Sequence, residues 1–313
     1  MDKKQYSFYI RKLASLLSLL IIVILLSILS PYFLTTENLL SIGLQMSVIA
    51  IMSIGQMWII ISGGIDLSVG SVLAISGVVT TLLISSGFDI LSASLIGIMV
   101  GSLCGFINGF LIAVGKLPPF IATLGMMGIA RGMALIITKG VPVFGLPDSF
   151  SVIGNGRIAN IIPIPVLITL FLALLGHIVL TRTPFGRYTY AIGSNFEAAR
   201  LSGIRTTRNL IYIYLLGGFL AGFAGIVLAS RLSTGQPTAG TGYELDVIAA
   251  CVIGGASLSG GAGTIWGAIL GALLIGVLRN GCNLLDISAF WQQVAIGAII
   301  IIAVFIDQYQ KKR

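Results

Sequence analysis

Ten apolar runs, most of them near the length needed to cross a lipid bilayer, follow one another along this chain: 13–30, 39–61, 67–86, 90–114, 119–138, 161–180, 210–230, 244–256, 264–280 and 289–306. About 30 Å of hydrocarbon takes about 20 residues of helix at a rise of about 1.5 Å per residue. The eighth run is short for that purpose. In lipid every backbone N–H and C=O must be satisfied within the protein, which leaves helices or a closed barrel. The period-2 alternation of a barrel strand is absent, so the runs are helices. Composition agrees, because 57% hydrophobic residues, 9% charged residues and a mean hydropathy of +1.06 leave too little charge to cover a water-soluble surface. The predicted fold is all-α, a polytopic helical membrane protein of about ten transmembrane helices, with residues 1–313 forming a single transmembrane domain.

The net charge of +8 is scattered between the runs and carries no aromatic-interleaved patch, so nucleic acid is not the expected partner. Topology explains it better. With the N-terminus in the cytoplasm, Lys3, Lys4, Arg11, Lys12, Lys116, Arg182, Arg187, Arg200, Arg205, Arg208, Lys311, Lys312 and Arg313 fall on the inner side, 13 of the 18 basic residues. An even number of crossings then puts both termini in the cytoplasm. The N-terminal segment has the basic-then-apolar order of a secretory signal, but its apolar stretch is too long and lacks an A-x-A site, so it reads as a retained first span. Cys104, Cys251 and Cys282 lie in or beside apolar segments without metal-ligand spacing and read as small buried hydrophobes.

Two turns share a pattern. GGIDLSVG at 63–70 and GGASLSGG at 254–261 both fit G-G-x-x-L-S-x-G, and each joins two apolar runs, which predicts an internal duplication. Glycine is abundant within the runs as well, as in GGFLAGFAG and GAILGALLIG, where it lets helices approach closely and repack.

Catalytic equipment is sparse. One histidine, His177, stands inside an apolar run, so neither an H-E-x-x-H zinc site nor a Ser-His-Asp set can be assembled, and it reads as a hydrogen-bonded packing residue. LSGGA at 258–262 looks like part of a nucleotide-binding signature, but the chain has no G-x-x-x-x-G-K-[ST] loop to hold phosphates. No cofactor is expected. The polar groups within the runs are candidates to line a translocation pathway: Gln45, Gln56, Asp66, Asn108 and Arg131, with Gln292 and Gln293 of the same kind. The same amides equally suit helix-to-helix ties. Arg131 either pairs with Asp66, or snorkels or meets backbone carbonyls while Asp66 caps the following helix.

The segment 186–209, GRYTYAIGSNFEAARLSGIRTTRN, stands apart: it holds a carboxylate and four arginines between two apolar runs. Ser194-Asn195-Phe196-Glu197 fits the S-x-x-E capping box, and Gly203 is a natural stop. A helix of about two turns is too short to cross lipid or to stand unpacked. It reads as a surface knob for another protein's groove, with a solvated loop as the bland alternative.

Three segments, SGGIDLSVGS at 62–71, NGFLIAVGKLPPFIATLGMMGIARGMALIITKG at 108–140 and GRYTYAIGSNFEAARLSGI at 186–204, together with GGASLSGGAGTIWGAILGA, resemble the membrane subunits of bacterial ATP-binding cassette importers for monosaccharides, the ribose-type permeases. The resemblance covers nearly the whole chain. It implies a pair of permeases, identical or different, docked on cytoplasmic ATPases that carry all hydrolysis chemistry, with an extracytoplasmic sugar-binding protein delivering the solute. It also implies that Gly193, Ser194, Asn195, Glu197, Ala198, Ala199, Arg200, Gly203 and Ile204 form the helix that couples to the ATPase. The rival readings are a permease for branched-chain amino acids or nucleosides, an ion-coupled secondary transporter, and a membrane enzyme.

Overall fold

A computed structural model describes the backbone of residues 3–159 and 161–311, with the side chains of residues 16–159, 161–302 and 305. The side chains of Lys3, Lys4, Arg11, Lys12 and Lys311, and residues 312 and 313, to which the sequence assigned inner-side charge, lie outside the described residues. Among the described residues thirteen helices follow in order: α1 (Lys3–Leu29), α2 (Thr36–Ile61), α3 (Val69–Ser85), α4 (Ile90–Ala113), α5 (Pro119–Thr138), α6 (Asp148–Asn155), α7 (Ile164–Arg182), α8 (Pro184–Ser194), α9 (Phe196–Leu201), α10 (Thr206–Leu232), α11 (Tyr243–Ile253), α12 (Ile265–Leu284) and α13 (Ala289–Lys311). A two-stranded antiparallel hairpin, β1 (Arg157–Ile158) and β2 (Ile162–Pro163), precedes α7.

Each of the ten apolar runs falls on one helix. Six of these, α2, α4, α5, α7, α10 and α12, are long and apolar enough to cross a membrane by themselves, while α1, α3 and α13 carry shorter apolar stretches and α11 has only 11 residues. The molecule is a polytopic helical membrane protein. Its helices start where local chemistry dictates. Thr35 accepts from Asn38 N at the head of α2, and Asp89 accepts from Ser92 N (2.9 Å) at the head of α4, a bond that holds the Asp89 carboxyl below its usual range.

Burial sorts the helices into an inner and an outer set. α2 is buried along 83% of its most apolar window, against 22% for α4 and for α7, so α2 forms the middle of the bundle. One side of α4 carries exposed Leu91, Leu95, Met99, Leu103 and Phe110, spaced as a single helical stripe suited to lipid. Its opposite side carries Gly97, Gly101, Gly105 and Gly109. A Cβ on Gly101 would stand 2.6 Å from Gly218 O, and one on Gly218 would stand 2.3 Å from Gly101 O, so α4 and α10 touch backbone to backbone. Without a hydrophobic force between helices in lipid, such close packing is what holds the pair.

The turn between α10 and α11 folds back into the bundle. Gly235 exchanges both backbone hydrogen bonds with Val143, and the chain then runs inward until Gly240 O lies against Gly70. α11 therefore begins inside the protein. α6 and the β-hairpin close the same end: Gly154 N donates to Ser230 Oγ (2.7 Å) and Asn155 Nδ2 to Arg231 O (2.9 Å). None of this short, polar structure at 148–163 registers as an element in the sequence.

Candidate functional site

The two G-G-x-x-L-S-x-G turns lie side by side, and the 186–209 segment is seated on both. Gly261 N donates to Ile61 O (2.9 Å), which ties the end of α2 to the turn ahead of α12. Gly193, near the end of α8, fills the remaining gap, since a Cβ there would stand 1.7 Å from Ile61 O and 2.8 Å from Gly261 N. A Cβ on Gly260, at φ +83, would stand 2.7 Å from Gly193 O and 3.0 Å from the Gly63 backbone. α8 is pinned at two further points: the Phe185 ring stacks on buried Trp58 at 5.0 Å, and the Tyr190 hydroxyl donates to Gly263 O (2.7 Å). Any displacement of α8 thus reaches α2 and α12 directly.

The two turns differ in conformation. In the first, α3 already begins at Val69, within the motif; in the second, α12 begins at Ile265, after it, and Ser257 N closes a tight turn on Ala262 O. Their sequence likeness is not matched by a like backbone.

Beyond Gly193 the segment turns outward. Asn195, extended at φ −160, caps α9 by accepting from Ala198 N (2.9 Å). This corrects the expected capping box. Ser194 is the last residue of α8, one position too early to cap, and Glu197 is engaged by Arg200 (2.8 Å) rather than by the backbone ahead of it. The stop at Gly203 is as expected: it takes φ +83 and donates to Arg200 O, and Ile204 N donates to Ala199 O. α9 buries one side only. Ala199 is 5% exposed and faces the bundle, while Glu197, Ala198, Arg200 and Leu201 (79% exposed) face out. Lys116, in the middle of the α4–α5 connection, sits 5.9 Å from the Phe196 ring centre and steadies the inner side.

The polar residues singled out within the runs divide differently from expectation. Asp66 does not meet Arg131. It accepts from Ser68 N (2.7 Å) and Ser68 Oγ (2.6 Å), Asn108 Nδ2 donates to that same hydroxyl (3.0 Å), and Gln56, in the amide orientation that satisfies both its atoms, pairs with the Asp66 backbone. All of these side chains are buried, and together they tie α2, the first glycine turn and α4. Arg131 Nη1 donates to Pro237 O (2.6 Å) and Ala239 O (2.8 Å), holding the inward-folded turn against α5. Gln56, Asp66, Asn108 and Arg131 thus tie elements together, and Gln45 borders a chamber.

That space is a chamber of about 450 Å³ at the other end of the bundle. Its depth along the helices follows from three chains of connection. Arg231 lies in the last turn of α10 whereas α8 and α9 precede its first; Ser41 and Gln45 lie near the start of α2, whose end meets Gly193; and Arg279 and Asn283 lie near the end of α12. At about 1.5 Å per residue, the length of α10 separates the two regions by roughly 40 Å. Tyr243 and Asp246, in the first turn of α11, form the floor. Arg279 Nη2 lies 2.8 Å from each Asp246 oxygen, and Gln292 Nε2 donates to Asn283 Oδ1 (2.8 Å). Arg231, Asp246 and Arg279 are absent from the candidates read in sequence, because each sits at the edge of an apolar run and their convergence depends on the inward fold of the α10–α11 turn.

The family model described as branched-chain amino acid transport system, permease component, matches residues 38–304. The ribose import permease protein RbsC of Bacillus subtilis is 46% identical over 300 residues, covering 95% of this chain and 93% of the relative. RbsC of Haemophilus influenzae is 42% identical over 299 residues, covering 94% and 92%. The D-allose transport system permease protein AlsC of Escherichia coli is 40% identical over 321 residues, covering 99% and 96%. No solved structure matches.

Proposed function

The chain belongs to the family of branched-chain amino acid transport system permease components, and from that premise we propose that it is the membrane-spanning subunit of an ATP-driven importer for a monosaccharide of the ribose kind. The observation that carries the reading is the near full-length similarity to permeases named for ribose and D-allose, at 46% and 40% identity. The family's description spans amino acids, but these relatives are named for sugars.

In this reading the chain hydrolyses nothing. A separate ATPase seats on the outward side of α9, and its closure is delivered through α8 to the paired glycine turns, shifting α2 and α12. Supporting this are the exposed Ala198 and Leu201 on a helix whose other side is anchored, and the contacts of Gly193 with both turns. The other partners are a second permease, identical or paralogous, and an extracytoplasmic binding protein that presents the sugar. The protein sits in the bacterial inner membrane with ten crossings, α1, α3, α11 and α13 joining the six long helices, and with both termini and α9 on the cytoplasmic side. The shared turn pattern stands as a trace of duplication within the fold.

Reconstitution tests this directly. Proteoliposomes holding the permease with its co-purified ATPase, supplied with binding protein outside, take up D-ribose only when ATP is enclosed. Uptake driven by an ion gradient without ATP, or uptake of leucine in place of any sugar, would replace this reading.

A further inference from the structure

We propose that the chamber between α2, α10, α11, α12 and α13 is a transient binding site for a neutral polyhydroxylated solute, with the Asp246–Arg279 pair as its anchor. The proposal rests on the import reading and names the place where the permease itself holds its cargo.

The chamber is built rather than incidental. Its volume, about 450 Å³, falls within the range of about 300–1,000 Å³ usual for small-molecule sites. Asp246 is 1% exposed and Gln292 is 4% exposed, so both are committed to the interior and yet border the space. Arg279 engages Asp246 through Nη2 alone, and its buried Nε has no hydrogen-bond partner among the described residues. A buried charge pair is retained at a cost in desolvation unless further groups complete it. Ligand hydroxyls are such groups, since each both donates and accepts.

The chemistry of the lining selects the class of ligand. Asp246 offsets the charge of Arg279, and Arg231, the one further charged group of the lining, donates through Nη1 to Leu44 O (3.2 Å), so the walls keep a single net positive charge rather than a cluster of one sign. Gln45 and Gln292 add amides that donate and accept at neighbouring points. The lining also carries Leu44, Met46, Ile49 and Ile275, an apolar wall on which the C–H face of a sugar ring can lie, and a metal ion would need converging carboxylates where the chamber offers only Asp246. A ring bearing several adjacent hydroxyls matches alternating donors and acceptors.

The same geometry explains why α11 starts within the bundle. The inward fold of 233–242, held by Arg131 on two carbonyls, places Tyr243 and Asp246 at the chamber floor, where a continuous spanning helix would have carried them past it.

Ala289 borders the chamber, is exposed and heads α13, which makes it a reporter that disturbs none of the polar contacts. Ala289→Cys is introduced with Cys104→Ala, Cys251→Ala and Cys282→Ser into the reconstituted complex, and its reaction with a charged thiol reagent added outside is timed. D-Ribose in the millimolar range should slow labelling several-fold, and leucine should not. Arg279→Gln and Asp246→Asn should each weaken the protection on the order of tenfold, the scale of a lost charged hydrogen bond. Because Arg279→Gln leaves buried Asp246 unpaired and Asp246→Asn leaves the half-buried Arg279 without its partner, Gln45→Leu is run beside them, and it should weaken protection several-fold without that burden. Equal labelling with and without ribose, protection by leucine instead, or full protection in Gln45→Leu and in whichever charge variants assemble, overturns the chamber as a sugar site. Ribose uptake by the parental complex is measured in parallel: uptake with unchanged labelling refutes the chamber alone, and no sugar uptake refutes the import reading beneath it.

Discussion

Ala198 and Ala199 are adjacent and chemically identical, yet the structure gives them opposite tasks. Ala199, 5% exposed, holds α9 against the bundle, and Ala198 stands on the outward side with Leu201. Placing an arginine at Ala199 forces a long charged chain into a filled site and should lower stability by about 1–3 kcal/mol, read as a drop in melting temperature of the purified complex. Ala198→Arg should leave that temperature unchanged while reducing ATP-dependent uptake tenfold or more, because central interface positions tolerate little new bulk. Equal effects on stability would reverse the assignment of faces. Gly193 offers a sharper case: since the first added carbon would fall 1.7 Å from Ile61 O, Gly193→Ala must move backbone, not a side chain. We expect it to destabilise the complex by about 1–3 kcal/mol and to impair uptake even where the protein still inserts. A fully active, equally stable Gly193→Ala protein would mean that α8 does not bear on the two turns.

Among the elements, the α4–α10 seam and the open side of α5 make a controlled pair. Both are glycine-rich, but a side chain at Gly101 meets the Gly218 carbonyl at 2.6 Å, whereas one at Gly128 meets nothing within 4 Å. Gly101→Leu should therefore prevent close packing and reduce the yield of folded protein, and Gly128→Leu should leave the stability of the single subunit within about 0.5 kcal/mol of the parent. Size-exclusion profiles and thermal melts of the two variants in one detergent decide it. The contrast also marks how far the sequence could be read. Long apolar runs announce helices because the bilayer fixes their length, and each of the ten runs landed on a helix. The cap of α9 was missed by one residue, since Ser194 and Asn195 are both good caps and only the backbone break at φ −160 chooses between them. The chamber could not be read at all: Arg231, Asp246 and Arg279 come from three helices, and the inward turn that gathers them is a loop without periodicity. Charge within an apolar run marks Asp66 and Arg131 in the sequence, but their partners, Ser68 for the one and the carbonyls of Pro237 and Ala239 for the other, lie in turns whose course no periodicity predicts.

Across the whole molecule, α10 and its neighbours join two regions of opposite character, the anchored α8–α9 segment before its first turn and the chamber at its last. α2 and α12 make the same journey: each has one end at Gly193 or its bonded turn and the other at the chamber wall. Three helices that share both ends cannot shift at one without repositioning residues at the other, and glycine seams make such shifts cheap because no side chains need to unlock. The consequence is measurable. In the complex carrying Ala289→Cys and no other cysteine, adding a non-hydrolysable ATP analogue to the ATPase side should change the labelling rate of residue 289 from the opposite side several-fold, a coupling of about 1 kcal/mol. Adding Ala198→Arg should abolish this dependence while leaving the labelling rate without nucleotide unaltered, because the substitution is remote from the chamber and, on the proposed docking, alters only the seat of the ATPase. Were nucleotide to alter labelling as strongly in the Ala198→Arg complex, the outward side of α9 would not be the place where the ATPase takes hold.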